Sequence, residues 1–358
     1  MPIAPVDSQG TYLYFEDSGA PPTAAPYTTL VLVHGTIIHG AIFHPMYQYA
    51  AQNSIRLVTV NLRDYPGSSP TSTEVLNAIR ENRREILATI IRDRGLEIIA
   101  FLEWLIKTEN LPPRSQSSND ETEASGGISV LGWSSGNFMT ISLLAHGSTL
   151  SQDRQKHLGA YLRSIILYDP PYHALGLPPP SLEELYGPLR DQSIPPEEIG
   201  KRFSLWCSGY YRHSPDILSS LASCTRAELF AGLAHYPEED MPATLIRMSP
   251  AEVAEVTDWE RAPQAHVPLT NADPSVYAQN AHHALKEVNV WPDVYVTLVW
   301  CDMSVGDTII AAWELSRKVE AAWPLEGRRV SIVRMNGANH FPHWDNPQET
   351  LHLLSTIA

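Results

Sequence analysis

The run TTLVLVHG, residues 28–35, constrains this chain more than any other feature, because it is apolar almost throughout and stops at a glycine. A strand with one wet face alternates apolar and polar residues. A run without that alternation is buried on both faces, as in the middle of a parallel sheet. The same texture returns in SIRLVTVNL from residue 54, ISVLGW from 128, RSIILYD from 163 and VYVTLVW from 294, and RRVSIVRMN from 328 resumes it. An earlier segment, TYLYFEDSG at 11–19, alternates and ends in a turn signal, which predicts one more strand. Helical spacing fills the intervals, at 75–109 with an apolar face in LEIIAFLEWLI (96–106), after residue 136, near 308–322 and at 347–357. Strands alternating with helices predict a mostly parallel sheet covered on both faces.

From Pro170 to about Val290 the texture changes to prolines, aromatics and helix-length segments with no strong buried strand. This predicts a core of residues 1–170 and 291–358, with 171–290 inserted over one edge. The polar stretch PPRSQSSNDETEASGG (112–127) predicts a surface loop. With 358 residues and 43% hydrophobic content the chain can bury a sizeable core. Its net charge of -15 repels phosphate backbones and argues against nucleic acid and anionic membrane as partners. The three cysteines, Cys207, Cys224 and Cys301, are odd in number and form no CxxC pair, so neither a zinc knuckle nor a disulfide framework is expected. They suit a reducing compartment, most simply the cytosol. The start, MPIAPVDSQGTYLYFEDSG, has no apolar core of a secretory signal, and no run of about 18 apolar residues is long enough to span a bilayer.

Ligands of such sheets bind at the carboxyl ends of the strands, so the residues that follow each strand matter most. After the strand at 128 comes GWSSG, Gly132–Gly136. The G-x-S-x-G spacing sets Ser134 at the apex of a tight strand-to-helix turn, where crowding demands small neighbours and the next helix offers free N–H groups to developing negative charge. After the first buried strand comes HGTIIHG (34–40), a glycine turn able to aim a backbone N–H at a substrate oxygen. After the last comes NGANHFPHWDNP (336–347), which presents His340, with His343 and His352 nearby as decoys. A serine hydroxyl becomes nucleophilic when a base takes its proton, and an imidazole titrates in the right range to do so.

VLVHG, RDYPGSS, VLGWSSGN and GANHFPHWDNP stand in the order and approximate spacing of the α/β-hydrolase superfamily, which this chain resembles nearly throughout outside 171–290. The resemblance implies an eight-stranded, mostly parallel sheet flanked by helices, with residues 171–290 as a helical cap after the sixth strand. It implies Ser134 as nucleophile, His340 as base, and an oxyanion hole from the backbone N–H groups of Thr36 and Ser135. The acid departs from the pattern. In VWCDMSVGDTIIAAWEL the helix register puts Ser304 in the slot usually filled by a carboxylate after the seventh strand. Asp302 and Asp307 flank that slot and each needs a shifted loop. Asp169, at the end of the sixth strand in ILYDPPYH, is the preferred acid, since some members of the superfamily carry it there. Asp64, in the superfamily's D-x-x-G-x-S turn, reads as structural, and Trp133 either lines the pocket or packs.

A serine at the apex favours esters, lactones or thioesters over dehalogenation or epoxide opening, which use an aspartate there in this superfamily. Trp206, Tyr210, Tyr211 and Phe230 suggest an apolar small-molecule substrate. Two rivals are a lyase or cyclase using the same Ser-His pair and a non-catalytic binding protein. With no P-loop, no dinucleotide fingerprint after a strand and no HExxH, neither a nucleotide nor a metal cofactor is expected.

Overall fold

A computed structural model describes residues 2–22, 27–115 and 126–358. Most of the loop anticipated at 112–127 therefore lies outside the described residues. The strands are β1 (Ile3–Pro5), β2 (Tyr12–Asp17), β3 (Thr28–Val33), β4 (Ile55–Val60), β5 (Ile128–Trp133), β6 (Leu162–Tyr168), β7 (Tyr295–Cys301) and β8 (Val330–Met335). They form one eight-stranded sheet in the order β1-β2-β4-β3-β5-β6-β7-β8. Only the β1–β2 and β2–β4 pairings are antiparallel. β3, β4 and β5 are buried at every position, as runs without alternation require.

Two strands depart from the expectation. β1 is only three residues long and too short to carry a periodic signal. β8, expected to resume the buried pattern, is half-buried along most of its length. It is the edge strand, paired to β7 alone, so one of its flanks meets no further strand.

The helix Arg84–Glu109 and the helix Asn137–His146 cover one face of the sheet and meet where Ser142 Oγ donates to the Ile91 carbonyl at 2.9 Å. Between β6 and β7 lie a short 3₁₀ helix, Tyr172–Leu175, and seven α-helices, the first Pro196–Ser208 and the last Pro274–Leu285. Several are short and start where the sequence caps them, as at Thr225 and Ser249, whose hydroxyls and the Glu three residues on form reciprocal caps. Pro274–Leu285 packs back against Asn137–His146, with Phe138 and Tyr277 stacked at 4.5 Å.

The intervening segment is tied to the sheet at two strand ends. Ile38 bridges Thr257, the His39 N–H reaches the Val256 carbonyl at 2.9 Å, and the Asp258 N–H reaches that of Ile37 at 2.8 Å. On the other side Asn339 donates to the Ser208 carbonyl at 2.7 Å and to Thr244 Oγ1 at 2.8 Å.

Many of the 14 histidines are structural and neutral. The Leu62 N–H donates to His34 Nε2 at 3.0 Å while Nδ1 faces the Gly35 carbonyl at 2.7 Å, so one nitrogen must accept and the other donate. His213 is fixed likewise, accepting from the Ala234 N–H at 3.0 Å and donating to the Ser304 carbonyl at 2.8 Å. Burial pushes His34 and His343 well below their ordinary range, His213 in the same direction, and His39 and His266 down to about 4.

In the unfolded chain these rings bind protons near pH 6.5, roughly the ordinary histidine value. Below that pH the unfolded state holds more protons than the fold, so stability falls as pH falls, by up to about 1.4 kcal/mol per unit for each ring. His44, raised by its hydrogen bond to Glu16, and Asp307, raised by burial, oppose this but are outnumbered. Thermal unfolding followed by circular dichroism from pH 7.5 to 5 is expected to show a melting temperature that drops steadily below about pH 6.5. A flat or rising profile contradicts the neutral assignments.

Candidate active site

β5 ends at Trp133 in extended geometry, and Ser134 then turns into the left-handed region at φ 54 before the chain enters the helix Asn137–His146. A non-glycine residue there stores roughly 1–3 kcal/mol of strain, which the surrounding packing must hold. The flanking glycines are required by close approach. A Cβ on Gly136 would lie 2.5 Å from the carbonyl oxygens of Val33 and His34, and one on Gly132 would lie 2.6 Å from Thr140 Oγ1. Asn137, which sequence reasoning passed over, donates to the Ser134 carbonyl at 2.7 Å and to that of Tyr168 at 3.3 Å. The elbow is thereby tied to the end of β6.

Asp169 follows directly on β6, also with positive φ (45), and is fully buried. Its Oδ1 accepts from the Cys301 N–H at 3.0 Å, and its Oδ2 accepts from Ser304 Oγ at 2.6 Å and lies 2.5 Å from His340 Nδ1. Ser304 does occupy the loop after β7, and its single proton goes to the carboxylate. Its 3.5 Å approach to His340 Nδ1 is long beside the 2.5 Å contact that Nδ1 makes with Asp169, and there the hydroxyl can act only as an acceptor. With Nδ1–H turned to Asp169, His340 keeps a lone pair on Nε2. Trp133 does both things considered for it. It lines the cavity, and it braces the histidine, its Nε1–H reaching the His340 carbonyl at 3.0 Å and its ring lying 4.9 Å from the imidazole.

The other two carboxylates have different surroundings. Asp302 accepts from Arg334 at 2.7 Å and from the Gly337 N–H at 2.7 Å. Asp307 stands in the first turn of the helix Gly306–Ala322 and lines the cavity from there. Asp64 accepts from the backbone and the hydroxyl of Thr71, both at 2.6 Å, and shapes its own turn. His343 is buried between Trp133 and Phe43, and His352 is exposed on the last helix.

The turn after β3 carries Ile37 at φ 72, an unusual conformation for a β-branched residue. Tyr65 holds it there by accepting the Ile37 N–H at 2.7 Å, a role that nothing in RDYPGSS announces. Thr36 and Ser135 sit beside Ser134, joined by a 2.7 Å hydrogen bond between their hydroxyls.

Ser134, His340, Thr36 and Ser135 all line one cavity, walled by Ile38, Leu189, Phe203, Trp206 and Val305 among others. Of the four aromatics singled out between β6 and β7, Trp206 reaches it. Tyr210 instead bonds Asp345 at 2.5 Å, Tyr211 bonds the Trp206 carbonyl at 2.9 Å, and Phe230 lies under Arg226. Cys207 also lines the cavity, but burial pushes its thiol well above the usual range and keeps it protonated. Among the described residues no group of three or more His, Cys, Asp or Glu is disposed to hold a metal, and no helix is long and apolar enough to cross a membrane.

A family model described as "Alpha/beta hydrolase family" matches residues 30–353. No curated protein sequence matches. Among solved structures, a candidate aryl esterase from Burkholderia cenocepacia is similar at 13% identity and TM-score 0.52, over 99% of this chain and 97% of that one. An esterase from Exiguobacterium antarcticum is similar at 12% identity and TM-score 0.52, over 99% and 98%. At such identities the likeness is one of fold.

The packing at the elbow makes Gly136→Ala a test of the turn. Its Cβ would press on backbone carbonyls that cannot swing aside, so a loss of about 1–3 kcal/mol is expected in urea unfolding. Gly337→Ala, with no atom near its would-be Cβ but a positive φ, gives a reference for backbone strain alone.

Proposed function

This chain belongs to the alpha/beta hydrolase family, and on that premise we propose that it is a serine hydrolase or acyltransferase acting on a carboxylic ester, lactone or thioester through an acyl-enzyme. The observation that carries this reading is the 2.5 Å contact of the buried Asp169 Oδ2 with Nδ1 of His340, a residue that lines the same cavity as Ser134.

Ser134 is the nucleophile. His340 Nε2 takes its proton during attack and returns it to the leaving group. Asp169 holds the tautomer and stabilises the imidazolium that forms. Ser304 supports Asp169 as a hydrogen-bond donor. The backbone N–H groups of Thr36 and Ser135 receive the oxyanion, each worth roughly 3–4 kcal/mol of transition-state stabilisation. The Thr36–Ser135 hydroxyl contact ties the two turns that carry these donors to one another.

Residues 171–290 act as the cap. Pro171, Leu189, Phe203, Trp206 and Asn271 contribute cavity wall from within that segment, and its ties to Ile37 and Asn339 anchor it beside the nucleophile and the base. The apolar walls suit a small-molecule acyl substrate, buried away from water while the acyl-enzyme waits for its acceptor.

A fluorophosphonate is expected to add to the intact protein at one site, with the mass gain lost in Ser134→Ala. Asp169→Asn is expected to lower the labelling rate and ester turnover by roughly 10⁴-fold, because the amide can stabilise neither the tautomer nor the cation. Ser304→Ala removes one hydrogen bond and is expected to cost about tenfold. Asp302→Asn is expected to lower stability through Arg334 while retaining turnover. Labelling that survives Ser134→Ala, or wild-type turnover in Asp169→Asn, rejects the assignment. Labelling without hydrolysis of simple esters moves the acceptor from water to a second substrate or an internal nucleophile, and absence of labelling favours a binding protein.

A further inference from the structure

Acyl transfer leaves one part of the cavity unused. Asp307 lines it from the first turn of Gly306–Ala322, is only 7% exposed, and has its Oδ1 buried without a hydrogen-bond partner. An unmatched buried carboxyl oxygen costs about 1–3 kcal/mol or more, so a fold retains one where something else comes to match it. His173 lines the same cavity, packed against Phe138 at 5.0 Å, and its Nε2 is likewise buried and unmatched.

The charges nearby choose between ligands. Arg190 also lines the cavity, but its guanidinium donates to the carbonyls of Pro180 at 2.6 Å and Leu185 at 2.5 Å. Burial pushes the Asp307 carboxyl up to about 7, with Arg190 drawing it partly back. Burial, and then the Arg190 charge, push His173 down to about 3, so its ring is neutral. Tyr172 and Tyr211, which also feel Asp307, stay protonated because burial above all raises them, and burial likewise keeps the Cys207 thiol protonated.

An anionic ligand would face Asp307 with the one nearby cation already committed. An ammonium would gain Asp307 but sit within the field of Arg190. A neutral hydroxyl has a proton for Asp307 Oδ1 and lone pairs for an N–H of His173 or for the carboxyl proton when present.

We propose that Asp307 and His173 form a subsite that binds a hydroxyl group of the substrate, away from the scissile carbonyl, so that the preferred acyl compound is a hydroxylated one. This deepens the acyl-transfer reading and rests on it for the acyl nature of the substrate. The subsite itself is a matter of binding. Asp307 acts here as a specificity residue, since His340 Nδ1 already has Asp169 as its partner.

The test is therefore made by binding, without turnover. Anilides of hexanoic, octanoic and decanoic acids, each paired with its terminally hydroxylated counterpart, are titrated into the wild-type protein and followed by isothermal titration calorimetry. At one chain length the hydroxylated member is expected to bind at least about tenfold more tightly. In Asp307→Leu the preference is expected to fall within about twofold, and in His173→Phe to shrink by at least about threefold. Asp307→Leu is also expected to melt at a higher temperature, because it removes a buried oxygen that the free protein leaves unmatched. Equal affinity within every pair in the wild type overturns the subsite. So does a preference that survives Asp307→Leu. If that variant does not fold, an unchanged preference in His173→Phe is decisive against it. Fluorophosphonate labelling of Ser134 reports separately on the acyl-transfer reading, so failure of either is recognised independently.

Discussion

The carboxylate of Asp169 is the hinge of this structure. A buried charge is costly unless every lone pair is met. Here a backbone N–H from β7, a hydroxyl from the loop after β7 and an imidazole from the loop after β8 meet it together. Two of these partners come from the end of β7 and the third from the loop after β8, so the charge, itself at the end of β6, enforces the alignment of three strand ends. The Asp169 N–H adds to this by bonding the Val299 carbonyl at 2.7 Å. The position of His340 follows from that alignment, and the Trp133 indole on its carbonyl fixes the remaining freedom of its loop.

Strain gathers along the same edge of the sheet. Ile37, Ser134 and Asp169 follow β3, β5 and β6, neighbouring strands in the sheet, and all three have positive φ. Asp64, after β4, adds a fourth, so the strain runs along consecutive strand ends on one side of the sheet. What holds them is ordinary packing and hydrogen bonding nearby: Tyr65 on Ile37, Asn137 on Ser134, and the saturated carboxylate on Asp169. The helical segment between β6 and β7 adds staples at Val256–Asp258 and at Ser208, which link its own folding to the geometry of that edge.

Periodicity carried the fold because it is a local property. β3, β4 and β5 are legible as runs without alternation, since each is covered on both faces, and Ser134 is legible because the glycines two residues either side answer to backbone crowding within the same turn. β1 and the half-buried β8 were less legible, the one for its length and the other because an edge strand's burial depends on what lies beside it. Tyr65 and Asn137 carried no signal, for their partners are backbone groups that come near only when the chain folds.

By itself, then, the sequence determined the sheet, the elbow with Ser134 and the loop that presents His340, all encoded in contiguous residues through strand burial, turn crowding and loop composition. It also left three aspartates as candidates for one role. Only the tertiary structure decided their surroundings: Asp302 is drawn to Arg334, Asp307 faces the cavity with an unmatched oxygen, and Asp169 meets His340. The reason is that a carboxylate's partner is set by distances between residues far apart in the chain, 171 positions in the case of Asp169 and His340, and no local pattern records those distances.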